Sequence, residues 1–68
     1  MAAAVVVNGE FAPLVANVIE LLEGVGVDPQ ARGVAVAVNG TVVPRRDWAQ
    51  QTLADGDRIE IVKPFAGG

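Results

Sequence analysis

The sequence contains no cysteine and no histidine. Without thiols it can form neither a disulfide nor a zinc thiolate site, and without imidazole it lacks the commonest nitrogen ligand for a metal. The same absences remove the usual nucleophile and the usual general base, so a free-standing enzyme would have to work with carboxylates alone. Aromatics are scarce: Phe11, Trp48 and Phe65 are all there are. No apolar run approaches the ~20 residues of a membrane span, and Met1-Ala2-Ala3-Ala4 lacks the basic start of a secretory signal. Positive charge is also short. Five Lys and Arg stand against eight Asp and Glu, a net charge of −3, which opposes binding to nucleic acid or to anionic lipid. The expectation is a cytoplasmic protein with no metal site and no nucleic-acid or membrane partner.

What is present is apolar and β-branched. Hydrophobic residues make up 51% of the 68 positions, most of them Val, Ala, Leu and Ile. A chain of this length forms one small domain that buries only about 60% of its unfolded surface, so its stability is modest. The many valines favour a sheet.

Val5-Val6-Val7 reads as a first strand that could begin at Ala3, and Asn8-Gly9 as a hairpin turn, because both residues tolerate positive φ. A second strand over Glu10 to Ala12 is limited by Pro13. Asn17 is placed to cap a short helix, with Glu20 three residues on and Val18, Leu21, Leu22 and Val25 forming one apolar stripe. Gly24 or Gly26 can close it in the left-handed conformation. A loop from Asp28-Pro29 runs to Gly33. Val34 to Val38 is a third strand, apolar on both faces and therefore expected to be covered on both sides. Asn39-Gly40 repeats the hairpin signal, Thr41-Val42-Val43 is a fourth strand ended by Pro44, and Arg45 to Leu53 is a connection with a helical turn that Asp47 could cap. Asp55-Gly56 is a turn. Arg58 to Val62 is the last strand, with Ile59 and Ile61 on one face and Arg58, Glu60 and Val62 on the other.

Two hairpins flanking one amphipathic helix, followed by a final strand, fit a single mixed sheet that buries the helix stripe. The economical arrangement sets the first and last strands side by side at the centre. This is an α+β, β-grasp (ubiquitin-like) fold with a mixed four- to five-stranded sheet and one helix packed across it. It occupies residues 1–63, and residues 64–68 form a flexible C-terminal Gly-Gly tail.

Most candidate sites read as structure. Asp55 and Asp57 bracket Gly56, but a calcium loop needs further oxygen ligands and a Glu at its twelfth position, so the motif is a turn. Gly24-Val25-Gly26 ends a helix instead of opening one and cannot cradle phosphate. Arg45, Arg46 and Trp48 form a small basic-aromatic patch, either a loop with a half-buried Trp or a docking spot for an acidic partner.

The end of the chain, Lys63-Pro64-Phe65-Ala66-Gly67-Gly68, is different. Glycine is the poorest packer and adds nothing to a core. Pro64 to Gly68 reaches at most about 17 Å when extended. Two terminal residues without side chains make a thread that can enter a channel too narrow for any Cβ. The carboxylate at its tip, with a pKa of about 3.5, is ionised. It could attack an electrophile such as the α-phosphate of a nucleotide, giving an acyl phosphate open to a sulfur or nitrogen nucleophile. Gly67-Gly68 therefore makes sense as a carboxyl group delivered into the active site of another protein.

Nearly the whole chain resembles the sulfur carrier proteins of thiamin biosynthesis, the ThiS type, which are relatives of ubiquitin. The matching stretches are VNGE (Val7 to Glu10), VIELLEGVGVD (Val18 to Asp28), VAVAVNGTVVPRRDWA (Val34 to Ala49), LADGDRIEIV (Leu53 to Val62) and the final GG. The most specific is VNGTVVPRRDWA, where Val-Pro-Arg and then Trp-Ala follow the second Asn-Gly turn, as is typical of the thiazole branch. The small subunits of molybdopterin synthase share the Asp-Gly-Asp turn and the Gly-Gly end but usually lack that stretch and run longer. The family often has Gly-x-Thr ahead of the helix, where Asn17 stands here, and Phe11 to Ala16 is more apolar than usual, which leaves the second strand open.

The resemblance implies a carrier and co-substrate, not a catalyst, with no cofactor of its own. A partner adenylyltransferase, similar to ubiquitin-activating enzymes, would use ATP and Mg to adenylate Gly68. A sulfur donor system such as a cysteine desulfurase would convert it to a thiocarboxylate, and thiazole synthase would accept the sulfur. Phe65, Ala66 and Gly67 would thread the partner's active site, and Ala35, Ala37, Arg58 and Val62 are the expected docking face. The alternatives are a sulfur carrier for molybdopterin, cysteine or tRNA thiolation, or a ubiquitin-like interaction module or modifier that is never thiolated.

Overall fold

Both Asn-Gly pairs adopt the conformation that a two-residue hairpin with a right-handed twist demands. Asn8 and Gly9 have φ of 50° and 85°, and Asn39 and Gly40 have 51° and 86°. These values come from a computed structural model of the chain, which describes residues 2–64. The first turn joins β1 (Ala4–Val7) to β2 (Glu10–Pro13), and the second joins β3 (Ala35–Val38) to β4 (Thr41–Val43). Between the hairpins lies α1 (Val18–Gly24); a 3-10 turn over Arg45–Asp47 and then β5 (Arg58–Val62) complete the chain.

The five strands form one mixed sheet in the order β2-β1-β5-β3-β4. β5 runs parallel to β1, with Val6 opposite Arg58, and antiparallel to β3, with Ala35 opposite Val62. The strand nearest the tail is therefore the central one, as the β-grasp expectation requires. β2 forms in full and includes Pro13, which pairs with Ala4. It is an edge strand, where a residue without an N–H is tolerated.

Alternation along the strands sends Val5, Val7, Val36, Val38, Val43, Ile59 and Ile61 to one face, where they meet Val18, Leu21 and Leu22 of α1 together with Val27 and Trp48. Each large side chain buried there contributes about 1.5–3 kcal/mol relative to exposure. The Asn17 side chain caps α1 by accepting from the Glu20 amide at 2.9 Å. The helix ends in a Schellman motif: the Val27 amide donates to the Leu22 carbonyl at 2.8 Å and the Gly26 amide to the Glu23 carbonyl at 3.2 Å, with Gly26 at φ 82°.

Three local expectations are corrected. Val25 does not continue the apolar stripe. The helix stops at Gly24, and Val25, as its C-cap, is 42% exposed; Val27, folded back by the Schellman turn, takes the buried place. Asp47 does not cap the 3-10 turn but lies inside it, and Pro44 precedes it with no side-chain cap. The alanine side of β3 is not covered. Ala35 is exposed and Ala37 half-buried, because the helix and the Trp48 connection both pack on the opposite face of the sheet.

Candidate functional site

β5 is held from both sides by the asparagines of the two hairpin turns. From the β1 side, the Asn8 amide donates through Nδ2 to the Ile61 carbonyl at 3.1 Å and accepts at Oδ1 from the Ile61 amide at 2.8 Å. From the β3 side, Asn39 Oδ1 accepts from the Arg58 amide at 2.9 Å while the Asn39 amide donates to the Arg58 carbonyl at 2.7 Å. Asn39 Nδ2 also donates to Asp57 Oδ1 at 3.0 Å, and Asp57 Oδ2 accepts from the Ala54 amide at 2.8 Å. Asp55 Oδ1 accepts from the Ala4 amide at 2.9 Å. The carboxylates of Asp55-Gly56-Asp57 thus fasten the lead-in to β5. The sequence shows Asn8 and Asn39 as turn residues; their grip on β5 joins residues far apart in the chain and carries no local signal.

Two members of the basic-aromatic patch, Arg45 and Trp48, make structural contacts. Trp48 is 1% exposed, and its indole Nε1 donates to the Val43 carbonyl at 2.8 Å. The Arg45 guanidinium lies over the Trp48 ring, 4.6 Å from its centroid, and donates to the carbonyls of Pro29 and Ala31. Arg45 and Trp48 thus serve the packing of the body, and Arg46 stands exposed beside them. A surface depression bordered by Ile19, Glu23, Asp28, Arg32 and Arg45 brings no nucleophile beside a base. Among the described residues no group of three or more His, Cys, Asp or Glu could hold a metal, and no helix is long and apolar enough to cross a membrane.

The four residues expected to form a docking face do share one surface. Pairing sets Ala35 against Val62 and Ala37 against Glu60, and Arg58 lies on the same side of β5. Around them the uncovered side of the sheet carries Val42, opposite Ala37, and Phe11, opposite Val6. Phe11 is 85% exposed, Val42 70% and Val62 62%. Sequence reading missed Phe11 and Val42 because each becomes a neighbour of these four residues only through strand pairing. Phe65, Ala66, Gly67 and Gly68, the proposed thread, lie outside the described residues.

Comparison with known proteins places this geometry. The pattern of the ThiS family matches residues 5–68. The chain belongs to the ThiS family. The sulfur carrier protein ThiS of Escherichia coli (strain K12) is 45% identical over 52 residues, which are 76% of this chain and 76% of that protein. The crystal structure of the thiamine biosynthesis protein ThiS from Geobacter metallireducens matches with a TM-score of 0.75 at 35% identity, covering 96% of this chain and 99% of that one. A thiazole synthase of Paramagnetospirillum magneticum (strain ATCC 700264 / AMB-1) is 43% identical over 65 residues, 93% of this chain but only 19% of that protein. That relative therefore contains a ThiS-like stretch within a much longer polypeptide. The ThiS match takes in the Val34 to Ala49 segment and extends through Gly67-Gly68.

Proposed function

We propose that this chain carries sulfur on its C-terminal glycine for thiazole formation in thiamin biosynthesis. The observation that supports this reading most directly is the ThiS match running through Gly68, joined to the 45% identity with a sulfur carrier protein. In the proposed cycle an oxygen of the Gly68 carboxylate attacks the α-phosphorus of ATP in a partner adenylyltransferase, and pyrophosphate leaves with the Mg ion. The outer sulfur of a persulfide on a donor system such as a cysteine desulfurase then attacks the acyl carbon and expels AMP. A thiol reductant cleaves the S–S bond of the resulting acyl disulfide, leaving a thiocarboxylate on Gly68 and a disulfide with the donor cysteine. Thiazole synthase takes the sulfur, and the carrier returns with its carboxylate.

The chain's own contribution is mechanical. Gly67 keeps the thread thin, Phe65 and Ala66 follow it into the partner, and the open face around Ala35, Ala37, Arg58 and Val62 docks the body. ATP and Mg belong to the activating partner, and the carrier binds no cofactor itself. Dependence on ATP and on a desulfurase puts the cycle in the cytoplasm. A ThiS-like stretch inside a thiazole synthase polypeptide favours the thiazole branch over other sulfur-transfer pathways, since fusion raises the local concentration of two domains that act together.

Intact-mass spectrometry tests the proposal. Incubation with the cognate adenylyltransferase, Mg·ATP and a sulfur source should exchange one oxygen for one sulfur at Gly68. Lysine-linked adducts on other proteins would show a modifier instead. Deletion in the host should create a thiazole requirement; a requirement for molybdopterin, cysteine or thiolated tRNA would reassign the pathway.

A further inference from the structure

The antiparallel ladder between β3 and β5 ends at the pair Ala35–Val62. Carried two residues further, the same register sets Gly33 opposite Pro64. Neither residue can extend the ladder: Pro64 has no N–H to donate, and Gly33 turns away at φ 80°. They nevertheless touch. A Cβ built on Gly33 would lie 3.2 Å from both Cβ and Cγ of Pro64 and 3.4 Å from its Cδ. The proline ring thus rests on the bare Cα of the glycine, in space that any other side chain would fill.

The loop beneath Pro64 is anchored. Asp28 Oδ1 accepts from the Gln30 amide at 2.9 Å, and the Ala31 amide donates to the Asp28 carbonyl at 3.1 Å. Arg45 holds the carbonyls of Pro29 and Ala31 while stacked on the buried Trp48. On the other side, proline fixes its own φ and restricts Lys63 to extended conformations. A stiff segment resting on an anchored loop has a defined direction.

We propose that Gly33 is a positioning residue, seating the Pro64 ring and so setting the line along which the chain leaves the sheet toward Gly68. This rests on the carrier reading above. Residues 28–33 act as a guide tied to the core through Arg45, and Gly33 is the point of contact.

Gly26 supplies the control, because its φ is 82° and nothing lies within 4 Å of a Cβ placed there. Gly33→Ala and Gly26→Ala carry similar backbone strain, and only the first pushes on Pro64. Both should lower Tm by similar amounts. In adenylation with the cognate enzyme and Mg·ATP, Gly33→Ala should reduce kcat by about tenfold, with KM for the carrier within about twofold, since a misplaced reacting group loses rate while docking is intact. Gly26→Ala should keep the wild-type kcat. In a Pro64→Gly background, adding Gly33→Ala should change kcat no further, the non-additivity expected of two residues acting through one contact. Equal kcat for the two alanine variants, or an undiminished loss in the Pro64→Gly background, overturns the proposal while leaving the carrier reading in place. A wild-type chain that is not adenylated at all overturns the carrier reading instead.

Discussion

The Asn8 side-chain amide pairs with the backbone of Ile61 as a peptide unit of a neighbouring strand would, donating through Nδ2 at 3.1 Å and accepting at Oδ1 at 2.8 Å. It extends the β1–β5 ladder just where the β1 backbone turns away into its hairpin. Asn8→Gly preserves the positive φ and removes both bonds, leaving the Ile61 amide and carbonyl short of partners. The expected loss is about 1–3 kcal/mol, read as a lower urea midpoint with unchanged slope. Asn8→Ala should lose more, because strain at φ 50° adds to the same deficit.

Trp48 is the sole tryptophan, so its fluorescence reports one environment. Burial to 1% exposure predicts a blue-shifted emission with little quenching by acrylamide in the native state and a red shift on unfolding. Trp48→Ala should destabilise by about 3–5 kcal/mol, much of the total stability of a domain this small. Trp48→Phe should cost less but still leave the Val43 carbonyl without its indole donor. Chemical denaturation checks both.

Val62 and Ala35 face each other on the uncovered side of the sheet. Val62→Lys should change stability by no more than about 0.5 kcal/mol, as for an exposed position outside any buried network. If this face docks to the adenylyltransferase, the same change should raise KM for the carrier by about tenfold, about 1.4 kcal/mol, with kcat little altered. An unchanged KM would move docking elsewhere.

Deleting Gly68, or blocking its carboxylate as an amide, should abolish adenylation while leaving Tm unchanged. Among the described residues, the buried side chains of the β-grasp core run from Val5 to Ile61. Comparable losses of activity and stability would show a packed terminus.

The features legible in the sequence are those in which a residue acts on its own backbone. Asn8-Gly9 and Asn39-Gly40 bend because of their own φ preferences, and Asn17 caps the helix a few residues away. The split of Ile59 and Ile61 from Arg58, Glu60 and Val62 follows from strand alternation. Where the reading failed, the deciding partner was distant or the signal ambiguous. An apolar period cannot say where a helix stops, so Val25 looked buried until Gly26 turned the chain. Alanines fit a covered face and an open one equally well, so β3 read as covered on both sides although Ala35 and Ala37 were also expected in a docking face. Side-chain grips such as Asn8 on Ile61, and the seat of Pro64 on Gly33, are formed by the tertiary fold alone. The thread from Phe65 to Gly68 lies outside the described residues and stands on the sequence and the family match.

The central place of β5 also has a temporal consequence. Ribosomes make β1 first and β5 last, yet β1 and β3 meet only through β5, so no truncated product can assemble the sheet. Dependence on a pairing between opposite ends of a chain slows folding, and here it also links folding to completed synthesis of the last strand. A nascent or prematurely terminated chain would lack the face proposed to dock its partner. Quality control of the carrier would then be inherent in its topology.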